Sequence, residues 1–73
     1  MTKRSVTING HATSISLEAA FWQELKRMAE EAGLSVAGLI ARIDAGPKSG
    51  NLSSALRLAV LNDLKARASA DLR

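Results

Sequence analysis

Residues 13–43 read TSISLEAAFWQELKRMAEEAGLSVAGLIARI, and the change of period inside this stretch decides the fold. Its first residues favour extended chain, because Thr13 and Ile15 are β-branched and alternate with Ser14 and Ser16. From Leu17 the spacing becomes helical. Leu17, Phe21, Leu25, Met28, Ala29 and Ala32 fall on one arc, with Trp22 at its edge. Gln23, Glu24, Lys26, Arg27, Glu30 and Glu31 take the remaining circumference. Ser16 is a good N-cap for a helix over 17–32, and Glu18 then lies in the first turn, where the helix dipole favours an anion. Gly33 is a natural stop in the left-handed region. Ser35 caps a second helix over 36–45, in which Val36, Leu39, Ile40 and Ile43 recur at i, i+3, i+4 and i+7 while Arg42 points away.

Upstream lies a second extended run, so the strand region covers 5–16. Asn9-Gly10 separates the two runs, a two-residue hairpin signal. That turn sets Ile8 opposite His11, Val6 opposite Thr13 and Ser5 opposite Ser14. One face then carries Val6, Ile8, His11, Thr13 and Ile15. The other carries Ser5, Thr7, Ala12, Ser14 and Ser16. The spacing leaves open whether 5–8 pairs with 11–15 of the same chain or stays a free arm. Lys3 and Arg4 make residues 1–4 a basic arm.

Downstream, Gly46-Pro47 ends the second helix and Lys48-Ser49-Gly50 reads as a flexible link. A third helix is expected over 52–64, capped by Asn51 or Ser53. Leu52, Leu56, Val60 and Leu64 step by four along one side, while Leu58 and Leu61 point elsewhere. An apolar surface nearly all round implies burial on more than one side. Residues 65–73, with Lys65, Arg67 and Asp71, read as a solvated, fraying tail.

The whole chain has 73 residues, 47% of them hydrophobic, including 13 Ala and 10 Leu. It is one domain, 5–64, and a disordered segment is excluded. A monomer of this size buries only roughly 60% of its unfolded surface, so the composition predicts that a second chain completes the core and that a folded monomer exposes Val6, Ile15 and the 52–61 surface. There is no cysteine, which excludes disulfides and thiolate metal sites. His11 is the only histidine and sits beside a tight turn, where a structural role is the simpler reading. No nucleophile–base pair, paired carboxylates or Gly-rich phosphate loop is present, so no catalytic residue, metal or cofactor is expected. Asp44 and Asp63 read as solvated helix charges. The net charge of +3 is spread unevenly, with the first helix net negative and residues 51–73 net positive. No apolar run reaches the roughly 18 residues of a membrane span, and none follows Lys3 and Arg4 as a signal peptide would require, so a cytoplasmic protein is expected.

The string from Thr13-Ser-Ile-Ser-Leu-Glu-Ala-Ala-Phe-Trp through Gly33-Leu-Ser-Val to Ile43-Asp44 resembles a ribbon-helix-helix domain of the MetJ/Arc type. The opening Lys3-Arg-Ser-Val-Thr-Ile with Gly10-His11, and the later Gly50-Asn-Leu-Ser-Ser-Ala-Leu-Arg57, resemble more narrowly a small subfamily. Its members are short bacterial proteins, typically alphaproteobacterial, described as DNA-binding. The resemblance covers residues 3–64. It implies a mainly α fold with a short N-terminal β-ribbon, here with an extra C-terminal helix, assembled as a homodimer whose strands pair across a two-fold axis.

It also implies a transcriptional regulator that inserts the ribbon into the major groove of double-stranded DNA. Carried over by position, the outward strand residues are Ala12, Ser14 and Ser16. The phosphate clamp at the second helix falls on Leu34, Ser35 and Val36. Thr7 and the arm residues Lys3 and Arg4 join the expected DNA-binding set. One departure stands out: ribbon readers usually carry Arg, Lys, Asn or Gln outward, and this chain has Ala12 and two serines. The rival reading is a protein-interaction module, an antitoxin or adaptor, that binds a partner through residues 51–64. A membrane-surface role fits less well, because the basic residues of 52–64 do not form one polar face.

Overall fold

The computed structural model describes residues 1–46 and 51–71; Pro47 and the Lys48-Ser49-Gly50 link lie outside the described residues. Asn9 and Gly10 adopt φ of 52° and 82°, the two left-handed residues of a type I′ turn. This turn folds β1 (Thr2–Ile8) back on β2 (His11–Leu17) as an antiparallel hairpin. Ile8–His11, Val6–Thr13 and Ser5–Ser14 pair as the sequence predicts, so the two runs pair within one chain. Pairing continues through Arg4–Ile15 and Lys3–Ser16 to Thr2–Leu17. The expected basic arm is therefore strand. The hairpin register sets this length, because a β2 that reaches Leu17 needs partners as far back as Thr2.

Helix α1 spans Ala19–Ala32, two residues shorter at its start than the pattern predicts. Ser16 does not cap it. Leu17 remains in the strand and is fully buried, so the helix starts two residues later and Glu18 takes the extended cap position. The Glu18 carbonyl accepts from the amides of Phe21 and Trp22, while its carboxylate bonds across to Arg57 at 3.1 Å. The other end of α1 closes as expected. Gly33 has φ 70°, its amide donates to Glu30, and the Leu34 amide donates to Ala29 at 2.8 Å. That pair of bonds is a Schellman closure.

Helix α2 (Val36–Asp44) is capped by Ser35, whose Oγ accepts from the Gly38 amide at 3.0 Å. Helix α3 (Leu52–Asp71) is capped by Asn51, whose Oδ1 accepts from the Ser54 amide at 2.7 Å. It continues past residue 64, where a fraying tail was expected. Ala66, Ala68 and Ala70 are strong helix formers, and Arg67 pairs with Asp63 one turn back and with Glu31 of α1.

The core is built by one chain. Ile8, Ile15 and Leu17 of the hairpin meet Trp22, Leu25 and Ala29 of α1, Leu39 and Ile40 of α2, and Leu56 and Val60 of α3. The expectation that a monomer exposes Ile15 fails: it is 1% exposed, because all three helices gather over the inner face of the hairpin. Val6 is half-buried against the same cluster. The 52–61 surface divides. Leu56 and Val60 face inward, whereas Leu58 and Leu61 stay 50% and 49% exposed, and Leu64 follows at 42%.

Candidate nucleic-acid interface

Alternation along a paired hairpin sends successive side chains to opposite faces. With Ile8, Ile15 and Leu17 buried, the outward face must carry Lys3, Ser5 and Thr7 from β1 and Ala12, Ser14 and Ser16 from β2. All but Ser16 are exposed, and Ser16 is half-buried next to the strand end. The face is made mostly of small residues and carries no carboxylate, with the Lys3 ammonium at one end. Thr7, Ala12, Ser14 and Ser16, all expected on this face from sequence, are brought together there. Ser5 belongs with them and was not singled out. Its signal is its pairing with Ser14, which puts both side chains on one face.

Lys3 and Arg4 separate. As consecutive strand residues they point to opposite sides, so Lys3 joins the outward face and Arg4 does not. The Arg4 guanidinium lies over the Trp22 ring, 5.5 Å from its centroid, a cation–π arrangement on the helix side of the sheet. The expectation that Arg4 follows a DNA backbone from a free arm is corrected by the strand, which fixes its direction.

The turn before α2 also sorts its candidates. The Leu34 amide is already used by the Ala29 carbonyl, and the Leu34 side chain packs against the core, so Leu34 has no donor for a phosphate. Ser35 is exposed at the cap. The first amides of any helix lack intrahelical acceptors, and at α2 these begin with Val36. Ser35 and Val36 thus remain as the candidates at the start of the helix.

Several of the remaining charges pair within and between the helices. Arg27 of α1 donates to Glu24 at 2.9 Å, reaches Glu31, and bonds Asp63 of α3 at 2.7 Å. Asp63, expected as a free surface charge, accepts from Arg67 as well, at 3.2 Å. The Arg27 guanidinium holds the Asp63 carboxyl below the usual aspartate range, and the carboxylates raise the Arg27 pKa in turn. The Glu18 carboxyl is lowered first by its own backbone amide and then by Arg57. Among the described residues, no cluster of His, Asp and Glu could hold a metal ion. None of the described helices is long and apolar enough to cross a membrane.

A sequence model of the ribbon-helix-helix domain matches residues 1–64. The chain belongs to the ribbon-helix-helix family, with α3 as an addition to the two-helix plan. Domains of this family are in general DNA-binding transcriptional regulators, non-enzymatic, and typically dimeric on DNA. Searches of curated proteins and of solved structures returned no match to the chain.

Proposed function

We propose that this protein is a homodimeric, sequence-selective regulator of transcription that lays the outward face of its β-ribbon in the major groove of double-stranded DNA. The observation that carries this reading is the outward face itself. Lys3, Ser5, Thr7, Ala12, Ser14 and Ser16 together present four hydroxyls, the Ala12 methyl and one ammonium, with no acid among them. A two-stranded ribbon fits the groove, which is about 12 Å wide. The Ser and Thr hydroxyls bond base edges with modest discrimination, and the Ala12 methyl fits against a thymine methyl. Lys3 and the amides at Ser35 and Val36 contact phosphates, which supply most of the affinity.

A mobility-shift assay with genomic fragments tests this. Retardation at low salt that falls steeply as salt rises is expected. No retardation of any fragment at low salt contradicts the reading.

A second reading, an antitoxin-like or adaptor module, is favoured by one observation: Leu58, Leu61 and Leu64 leave an apolar row on α3 that the monomer does not cover. A stoichiometric partner captured by the intact chain, and lost on Leu58→Ser with Leu61→Ser, would support it.

A further inference from the structure

We infer that Thr7 and Ala12 form a methyl-lined step on the outward face that selects thymine, so that thymine methyl groups, and not guanine, set the sequence preference of this protein. The inference rests on the DNA reading above and adds which base the face takes and through which pair of residues.

Thr7 and Ala12 are direct cross-strand partners in the row next to the Asn9-Gly10 turn, and both are exposed. A two-residue turn makes Ile8–His11 a hydrogen-bonded pair, and such pairs alternate with non-hydrogen-bonded ones along the ladder. Thr7–Ala12 is therefore a non-hydrogen-bonded pair, with Cα atoms about 4.5 Å apart and the side chains close together. The row offers two methyls and one hydroxyl. The rows beyond it differ in kind. Ser5–Ser14 offers two hydroxyls, and Lys3–Ser16 offers an ammonium and a hydroxyl. Successive rows on one face lie about 7 Å apart along the strand, more than the rise of one base pair, about 3.4 Å. The methyl row thus meets a base pair of its own.

In the major groove thymine shows an O4 acceptor beside its C5 methyl, and no other base carries a methyl there. Thr7 matches both features from one Cβ, with a hydroxyl that can donate and a methyl that can pack. Ala12 supplies the second methyl. A thymine methyl set against this pair removes apolar surface from water on both partners. Guanine finds no match in the row, because its O6 and N7 are read best by a bidentate Arg or Lys. Lys3, the cation of this face, stands about 14 Å away along the strand. Arg4 is on the other side of the sheet, over Trp22. Adenine is read best by Asn or Gln, and the six residues of the face include neither.

Binding-site selection from a pool of random duplexes, followed by uracil replacement in a selected duplex, tests the step. Uracil keeps the pairing and the O4 acceptor of thymine and lacks only the methyl. Selected duplexes are expected to share thymine at fixed positions. Replacing those thymines by uracil is expected to weaken binding about fourfold for each one contacted, the transfer value of one buried methyl group.

Two protein variants complete a double-mutant cycle. Thr7→Ser keeps the hydroxyl and removes the methyl. It is expected to bind the thymine duplex more weakly and to show a uracil penalty of at most about twofold per thymine. Ala12→Gly removes the other methyl and is expected to shrink the penalty in the same way. Glycine weakens a strand, so folding of this variant is checked by circular dichroism, and Thr7→Ser alone decides the test if Ala12→Gly does not fold.

A full uracil penalty in either folded variant overturns the methyl step. So does wild-type binding indifferent to uracil, or a selected set that shares guanine in place of thymine. In each of these cases the protein still retards DNA, and the DNA reading stands. Failure to retard any duplex of the pool at low salt overturns both.

Discussion

The indole Nε1 of Trp22 donates to the backbone carbonyl of Thr2 at 2.9 Å, tying the middle of α1's first turns to the first residue of β1. Trp22 is nearly fully buried, and Arg4 lies over its ring. One side chain thus fills the core, satisfies a strand-end carbonyl and holds the cation that would otherwise be free. Trp22→Phe should cost about 1–2 kcal/mol, a hydrogen bond and some volume. Trp22→Ala should cost about 3–5 kcal/mol. Urea denaturation measures both. Amide exchange should show the Thr2–Arg4 end of the ladder opening first in the phenylalanine variant.

Gly33 gives a cleaner backbone test. Its φ is 70°, and a Cβ there would meet nothing within 4 Å. Gly33→Ala should therefore lower stability by about 1–2 kcal/mol from conformation alone. In a domain of this size that corresponds to a melting temperature lower by roughly 4–8 °C per kcal/mol. An alanine variant that melts with the wild type would show that the Schellman closure is not under conformational demand.

Acid should loosen the attachment of α3. The Asp63 and Glu18 carboxyls both have pKa values lowered in the folded protein, the first by Arg27 and the second by its own amide and then Arg57. A depressed carboxylate pKa contributes stability above the unfolded value, and that contribution is lost as pH falls through the folded one. Stability should thus be level near neutrality and decline below about pH 4, around the ordinary carboxylate range. Asp63→Asn should remove part of that decline. A variant with the wild-type acid limb would show that the Arg27–Asp63–Arg67 network does not report on folding.

Lys3 and Arg4 should behave differently on DNA despite being neighbours. Lys3→Gln removes one phosphate contact per chain, so the slope of log affinity against log salt should become shallower by about 1.8 for a dimer. Arg4→Gln should change that slope little and should instead lower stability through lost stacking on Trp22. Equal slope changes for the two variants would place Arg4 at the DNA after all. Fluorescence anisotropy across a salt series reads both.

Much of this fold is legible in local chemistry. Asn9-Gly10 specifies a type I′ turn, and that turn fixes the register through Ser5–Ser14, so the outward face follows from counting. Gly33 and Ser35 mark the end of one helix and the start of the next because their conformations and hydrogen bonds are local. What sequence pattern missed depends on tertiary competition. Ser16 is a better cap than Glu18, yet burial of Leu17 holds the chain in the strand one step longer. Arg4 looks like half of a basic arm until pairing with Ile15 fixes its side of the sheet.

The contact of Arg67 on α3 with Glu31 of α1, 36 residues away, lies outside any local window, although the Ala-rich stretch 66–70 that extends α3 was legible as helix-forming. Composition predicted a core shared between chains, whereas one chain already buries Ile15, Leu56 and Val60. What it leaves uncovered is narrower: the open edges of the two-stranded sheet and the leucine row of α3.

The most direct test of the central claim, DNA contact through the outward ribbon face, is a backbone amide NMR titration of the intact protein with a duplex that it retards. The account predicts shifts concentrated at Lys3, Ser5, Thr7, Ala12, Ser14 and Ser16, with a second group at Ser35 and Val36, while residues 58–71 of α3 stay unperturbed. Shifts centred on Leu58, Leu61 and Leu64 with a silent ribbon would contradict it.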